Sequence, residues 1–169
     1  MQVVTRPTTL VIRAPEPHEL AEAGAVTEAA YRAAGLAGGG YAEVLRDAGR
    51  RDAEAELLVA VEGGGAVLGS VTFCPAGSPW RELALDDEGE LRMLAVRPEA
   101  QRLGVGRALT RACITRAREL GFRALVLSTP SGASAPHRLY ESLGFLRDRA
   151  RDWSPVPGVD LLAYVLPMD

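Results

Sequence analysis

Residues 90–127 constrain the fold more than any other stretch of the chain. Glu90 to Val96 reads as a strand and is closed by Pro98. The turn Gln101-Arg102-Leu103-Gly104-Val105-Gly106 then opens directly into the clearest helix, residues 105–120. Val105, Leu109, Ala112, Cys113 and Leu120 share one face of it, while Arg107, Arg111, Arg118 and Glu119 fall largely elsewhere. Gly121 stops the helix, and Phe122 to Leu127 is the next strand. A strand, helix and strand joined in this way form a crossover unit. The two strands are therefore expected to be parallel and the connection right-handed.

The remaining elements fit around this unit. Thr9 to Arg13 is a short β-branched strand ended by Pro15 and Pro17. Residues 17–34 place Leu20, Ala23, Ala30 and Ala34 at helical spacing, and Gly35 ends that helix. Gly38-Gly39-Gly40 is a flexible connection, and residues 41–55 read as a second helix with Val44 and Leu45 inward. Leu57 to Val61 and Val67 to Cys74 are strands around the turn Glu62-Gly63-Gly64-Gly65. Residues 75–87 form a long loop that ends in the acidic run Asp86-Asp87-Glu88. Ser131 to Ser134 is a loop with a candidate N-cap, and residues 135–143 form a short helix ended by Gly144. Phe145 to Asp152 and Leu161 to Leu166 read as the last two strands. This order predicts one α/β (α+β) domain over residues 1–169, a mixed sheet with helices on its faces.

Composition removes several functions. The chain has no lysine and no asparagine, and all 19 basic residues are arginine. That excludes a Walker A phosphate loop, a Schiff-base enzyme and a lysine general base. A net charge of -3 and a pI near 5.5 argue against a nucleic-acid partner. No stretch approaches the ~20 apolar residues of a membrane span, and Met1 to Leu10 has no apolar signal region. Cys74 and Cys113 lack metal-type spacing and suit reduced core thiols. A cytoplasmic protein without a metal is expected.

The turn at 101–106 has the chemistry of an anion site. The first N–H groups of a helix have no intrahelical partner, and the helix dipole favours negative charge there. Gly104 and Gly106 keep Cβ atoms out of the way, Arg102 and Arg107 add positive charge, and a pyrophosphate is a natural occupant. Leu109 stands where a dinucleotide fingerprint would have its third glycine, and five residues separate Val96 from the turn. Taken alone, the turn is equally an ordinary strand–helix loop.

The wider pattern goes further. Gln101-x-x-Gly104-x-Gly106, preceded by Leu94-Ala95-Val96 and followed by Leu139-Tyr140-Glu141-Ser142-Leu143-Gly144-Phe145, resembles the GNAT superfamily of acyl-CoA-dependent N-acyltransferases. The resemblance implies the GNAT fold, a mostly antiparallel mixed sheet of about seven strands with about four helices on its faces. It implies acetyl-CoA as co-substrate, with backbone bonds from Leu94, Ala95 and Val96 to the pantetheine arm. It also implies a pyrophosphate held by Gln101 and the N–H groups of Arg102, Leu103, Gly104, Val105, Gly106 and Arg107. Tyr140 matches the family's general acid, which protonates the departing thiolate; as a helix tyrosine it also suits packing on Phe145. Glu90 lies where some members carry a general base, and it equally suits a solvated acid at the end of the acidic loop. The family's frequent asparagine is here Ala133, so Ser131 or Ser134 would take over its contact. His137 reads as a surface histidine at a helix start.

By the same resemblance, the loops 35–41, 75–88 and 153–159 would enclose the acceptor. They bring Tyr31, Tyr41, Trp80 and Trp153 to the pocket, although both tryptophans also suit covering the sheet ends. Asp86, Asp87 and Glu88 would attract a cationic amine. The implied activity is transfer of an acetyl group to a primary amine, on a small molecule or peptide, by direct attack in a ternary complex. A catalytically silent acyl-CoA-binding or sensing protein is the alternative. Monomer and homodimer are both open.

Overall fold

The computed structural model describes residues 9–169. The reading of the N-terminus as free of an apolar signal region therefore falls, for Met1 to Thr8, outside the described residues. The first strand, β1 (Val11–Arg13), pairs antiparallel with β2 (Glu56–Val61), β2 with β3 (Val67–Cys74), and β3 with β4 (Glu88–Val96). β4 is parallel to β5 (Ala124–Pro130), as the crossover unit requires. β5 pairs antiparallel with β8 (Val159–Pro167), whose outer edge takes β6 (Leu146–Arg147) and β7 (Trp153–Val156). The five α-helices are α1 (Leu20–Ala33), α2 (Tyr41–Arg46), α3 (Ala48–Glu54), α4 (Val105–Glu119) and α5 (Ser134–Ser142).

Among the described residues there are thus eight strands and five α-helices, where about seven and about four are expected. Each departure has a local cause. The helix expected over 41–55 breaks at Asp47, which leaves helical geometry with ψ at 69°. Asp47 Oδ1 accepts the Arg50 N–H at 3.0 Å, so this residue ends α2 and caps α3. The strand expected over 145–152 survives only at Leu146–Arg147. Arg147 reaches ahead to Asp152 with two contacts of 2.8 Å, and Asp152 also accepts the Ala163 N–H, which folds the intervening residues into a turn. The strand expected over 122–127 lies at 124–130, where seven consecutive pairs with β8 extend it.

The sheet is buried on both faces. On one side α4 covers Val71, Phe73, Leu91, Leu125 and Leu127 through Val105, Leu109 and Cys113, all of them buried. Leu109 is fully buried, which contributes on the order of 2 kcal/mol. On the other side α1 sets Ala23 and Val26 against Leu57, Val59, Val67 and Ala95. A third cluster joins Leu45, Cys74, Trp80 and Met93 with Tyr31, Tyr41 and Val44. The crossing of α1 and α2 depends on Gly24, because a Cβ there would stand 1.9 Å from the Arg46 carbonyl oxygen.

Candidate functional site

The sheet is not continuous at its centre. β4 and β5 pair only at Glu88, Gly89 and Glu90, opposite Ala124, Leu125 and Val126. Beyond Glu90 the two strands have no pairing, while β5 stays bonded to β8 as far as Pro130 and β4 stays bonded to β3 as far as Val96. A wedge therefore opens between residues 91–96 and 127–130. Its β4 wall carries a bulge: Ser70 faces Ala95 but Thr72 faces Arg92, so three residue steps on β4 match two on β3. Met93 absorbs the excess with φ at 53°, an uncommon angle for a residue with a side chain. Leu94, Ala95 and Val96 follow the bulge directly.

The wedge ends at the start of α4. Gly104 is the N-cap with φ at 78°, a conformation that favours glycine, and Arg102 shares the left-handed region at 68°. Gly104 has no side chain to cap the helix, and the first satisfied helical donor is Ala108, whose N–H reaches the Gly104 carbonyl at 3.0 Å. The donors of Val105, Gly106 and Arg107 precede it and have no intrahelical acceptor. Gln101, Arg102, Leu103 and Gly104 are exposed at this mouth. Arg107 is already engaged, donating to Ser142 Oγ at 2.7 Å, which ties α4 to α5. Gly106 faces the side chains of Leu139, Val96 and Leu94, so the turn, the β4 wall and α5 meet at one point.

α5 carries Tyr140 directly after Leu139. Tyr140 is buried, edge-on to Phe145 at 5.7 Å and 6.3 Å from the Tyr164 ring. Burial pushes its hydroxyl pKa upward, and the neighbouring Tyr31 and Cys113 groups add to the shift. The packing on Phe145 expected of a helix tyrosine is thus present. Ala133 is the N-cap of α5 and supplies no side-chain bond. Ser134 is exposed as the first helical residue, and Ser131, also exposed, uses its N–H on the Asp160 carbonyl at 2.9 Å. His137 lies on this helix with Nε2 2.9 Å from the Pro130 carbonyl.

The side expected to hold the acceptor is more heavily charged than its sequence suggests. Glu90 is buried rather than solvated, and its Oε2 accepts the N–H groups of Glu82, Leu83 and Ala84 at 2.8, 3.0 and 3.2 Å. That oxygen has no lone pair left for a substrate proton, which leaves Oε1. Glu88, expected in an exposed acidic run, is instead the first residue of β4 and fully buried. It receives Arg151 at 2.6 and 2.9 Å, Arg123 at 2.9 Å and the Leu85 N–H at 3.0 Å. Burial raises its pKa, but the bonds from Arg151 and Leu85 and the charge of Arg123 outweigh it and hold the carboxyl below its usual range. Asp87 pairs with Arg123 at 2.6 Å, so only Asp86 of that run stands fully in solvent.

Tyr31, Tyr41 and Trp80 come together in the third core cluster, with the two tyrosine rings edge-on at 6.2 Å. Burial raises the pKa of both hydroxyls. Trp153 is not part of this cluster; it is half-buried on β7 and directs Nε1 to Ser128 Oγ at 3.4 Å. Arg92 on β4 donates to the Trp80 carbonyl at 2.9 Å and pairs with Glu82 at 3.0 Å. Burial raises the Glu82 pKa, against the pull of Arg92. Arg51 of α3, completely buried, donates through Nη1 to the carbonyls of Val44 and Leu45 at 2.9 and 2.7 Å. Arg51, Glu82 and Arg92 escape sequence reasoning as functional candidates. Only Arg92 carries a signal, a charge inside a strand whose neighbours are apolar.

Residues 28–145 match the family model described as the acetyltransferase (GNAT) family, well over half of the chain. The chain belongs to the GNAT acetyltransferases. A mycothiol acetyltransferase from Thermomonospora curvata is 39% identical over 71 residues, which are 42% of this GNAT chain and 24% of that protein. An uncharacterized N-acetyltransferase from Schizosaccharomyces pombe is 33% identical over 103 residues, 61% of this chain and 59% of that one. The GNAT chain therefore spans a minor to middling part of these relatives. Among solved structures, a GNAT-family acetyltransferase from Staphylococcus aureus superposes with a TM-score of 0.75 at 13% identity, over 95% of this chain and all of the other. A Salmonella typhimurium acetyltransferase solved with acetyl-CoA gives a TM-score of 0.69 at 23% identity, over 95% and 94% of the two chains. These likenesses establish the shared GNAT fold.

The sulfur atoms of this GNAT chain are placed away from reaction. Cys74 and Cys113 are free and fully buried. Burial pushes the Cys74 thiol up to about 12 and the Cys113 thiol further. Neither is a competent nucleophile, since the thiolate is the reactive form. Among the described residues no helix is long and apolar enough to cross a membrane, and no three His, Cys, Asp or Glu side chains gather as a metal site.

Proposed function

We propose that this chain transfers the acetyl group of acetyl-CoA to a primary amine by direct attack within a ternary complex. The wedge between β4 and β5 carries the reading. It ends at an uncapped helix N-terminus flanked by Arg102, and α5, the helix of Tyr140, meets it through Leu139. In this reading the pantetheine arm bonds to the open strand after the Met93 bulge, at Leu94, Ala95 and Val96, as an added strand would. The pyrophosphate takes the N–H groups of Arg102 and of Gly104 to Arg107, since those of Gln101 and Leu103 already donate to the Pro98 and Ala100 carbonyls. The amine nitrogen attacks the thioester carbonyl carbon, a C–N bond forms, the C–S bond breaks, and the Tyr140 hydroxyl gives its proton to the departing thiolate. An amine with a pKa of about 10 arrives protonated and first loses a proton. Glu90 offers only Oε1 for that step, so it acts through this atom or through water. Two buried, free thiols support a reducing compartment, the cytoplasm.

Tyr140→Phe tests the reading. Its removal lowers turnover by about 10²-fold, measured by thiol release, and leaves acetyl-CoA affinity by calorimetry unchanged. Unchanged turnover would remove Tyr140 from the mechanism. Acetyl-CoA binding by the wild type with no turnover on a panel of amines would favour the silent binding protein instead.

A further inference from the structure

The feature that the acetyl-transfer reading leaves unexplained is Arg51. Its residue surface is 0% exposed, and its Nε and Nη2 have no hydrogen-bond partner among the described residues. No carboxylate pairs with it among those residues. The carboxylate whose charge acts on it, Asp47, makes no ion pair with it and caps α3 through the Arg50 N–H, and Glu82 is committed to Arg92. An unpaired buried charge with orphaned donors is among the costliest arrangements in a protein interior.

Arg51 is partly accounted for by structure, because Nη1 closes the carbonyl end of α2 at Val44 and Leu45. That role uses one nitrogen. The two left over, Nε and Nη2, are adjacent and form one complete fork of the guanidinium. This fork fits the two oxygens of a carboxylate side by side. The same cluster holds another buried donor without a partner, Trp80 Nε1. All three orphaned atoms are donors, which suits an anion and not an amine.

Arg51 also lies on the correct side of the molecule. α1, which carries Tyr31, packs on α3, and the Arg51 charge acts on the Tyr31 and Tyr41 hydroxyls. The cluster that holds both tyrosines also holds Met93, the bulge residue of the wedge wall. The connection over this cluster, residues 35–40, contributes Ala37 to its packing, while Gly38, Gly39 and Gly40 touch nothing where a side chain would be. Access to the fork requires only that this thinly packed segment move.

We infer that the acceptor is an amine bearing a carboxylate, whose carboxylate is gripped bidentately by Nε and Nη2 of Arg51 while its amine faces the wedge beside Tyr140. The inference rests on the acetyl-transfer reading, and the test keeps the two apart. Thermal unfolding without acetyl-CoA is measured with the proteinogenic L-amino acids, their carboxamides, and O-phosphoethanolamine as a phosphate-bearing amine. At least one amino acid raises the midpoint where its carboxamide does not. Thiol release then shows kcat/KM for that acid exceeding that for its carboxamide by roughly 10²-fold. Arg51→Met abolishes the preference. Arg51→Lys, which keeps a charge for the α2 carbonyls but lacks the fork, loses at least about tenfold of it. If Arg51→Met does not fold, the wild-type comparison of acid with carboxamide stands alone. Equal response to acids and carboxamides, preference for the phosphate-bearing amine, or a preference that survives in Arg51→Met and Arg51→Lys would overturn the site. Arg51-dependent binding of an amino acid without turnover would keep the site and overturn acetyl transfer.

Discussion

The two halves of the proposed site are built from different materials. The cofactor half, from the Met93 bulge through the 101–107 turn to α5, works with backbone: an opened strand, two left-handed residues and an uncapped helix start. The acceptor half, under α1, α2, α3 and the loop before β4, works with buried side-chain charge: Arg51, Glu82, Glu90 and Arg92 around Tyr31, Tyr41 and Trp80. Backbone geometry asks for particular residues at fixed positions, glycine above all, so the cofactor half has a motif. Side-chain charge can be supplied from any element that reaches the cluster, so the acceptor half has none. One fold can thus keep a constant cofactor site and vary its acceptor.

Substitutions at three positions break or sharpen this contrast. The largest effect belongs to the joint where the halves are still bonded. Glu88→Gln leaves Arg151 and Arg123 facing a neutral amide, and urea unfolding shows a loss of about 3 kcal/mol. A loss in the range of ordinary surface changes would show that charge does not hold the joint. Next comes the acceptor half. Glu90→Ala strands three N–H groups of the 82–84 loop and costs about 2 kcal/mol, whereas Glu90→Gln still offers an oxygen and keeps most of that stability. If Glu90→Gln folds normally but loses turnover with an altered pH profile, Glu90 is a base and this half is catalytic as well as selective. The smallest effect is in the cofactor half. Ala133→Asn supplies the missing cap of α5 and raises stability by about 1 kcal/mol, with tighter acetyl-CoA binding by calorimetry. Stabilisation without tighter binding would make position 133 a helix cap only.

What the sequence made legible follows the same division. The parallel pair around α4 could be read because a strand, a helix and a strand leave one handed connection. The 101–106 turn could be read because glycine spacing before a helix has few other uses. The break at Asp47 could not, since the apolar spacing over 41–55 runs through it and a single side-chain bond to Arg50 decides the matter. Glu88 looked like the last residue of an acidic loop because its partners, Arg123 and Arg151, are remote in sequence and meet it only in three dimensions. Arg51 follows another arginine on a short helix, a pattern that ordinarily means two solvated charges.

The burial of Cys74 and Cys113 has a consequence for an enzyme of the proposed kind. Each turnover would release CoA, a free thiol. Oxidised thiol products accumulate as disulfides and exchange with any protein thiolate they can reach. A chain with both sulfurs sealed in its core and held in the protonated form offers no such target. It is built to resist capture by its own leaving group.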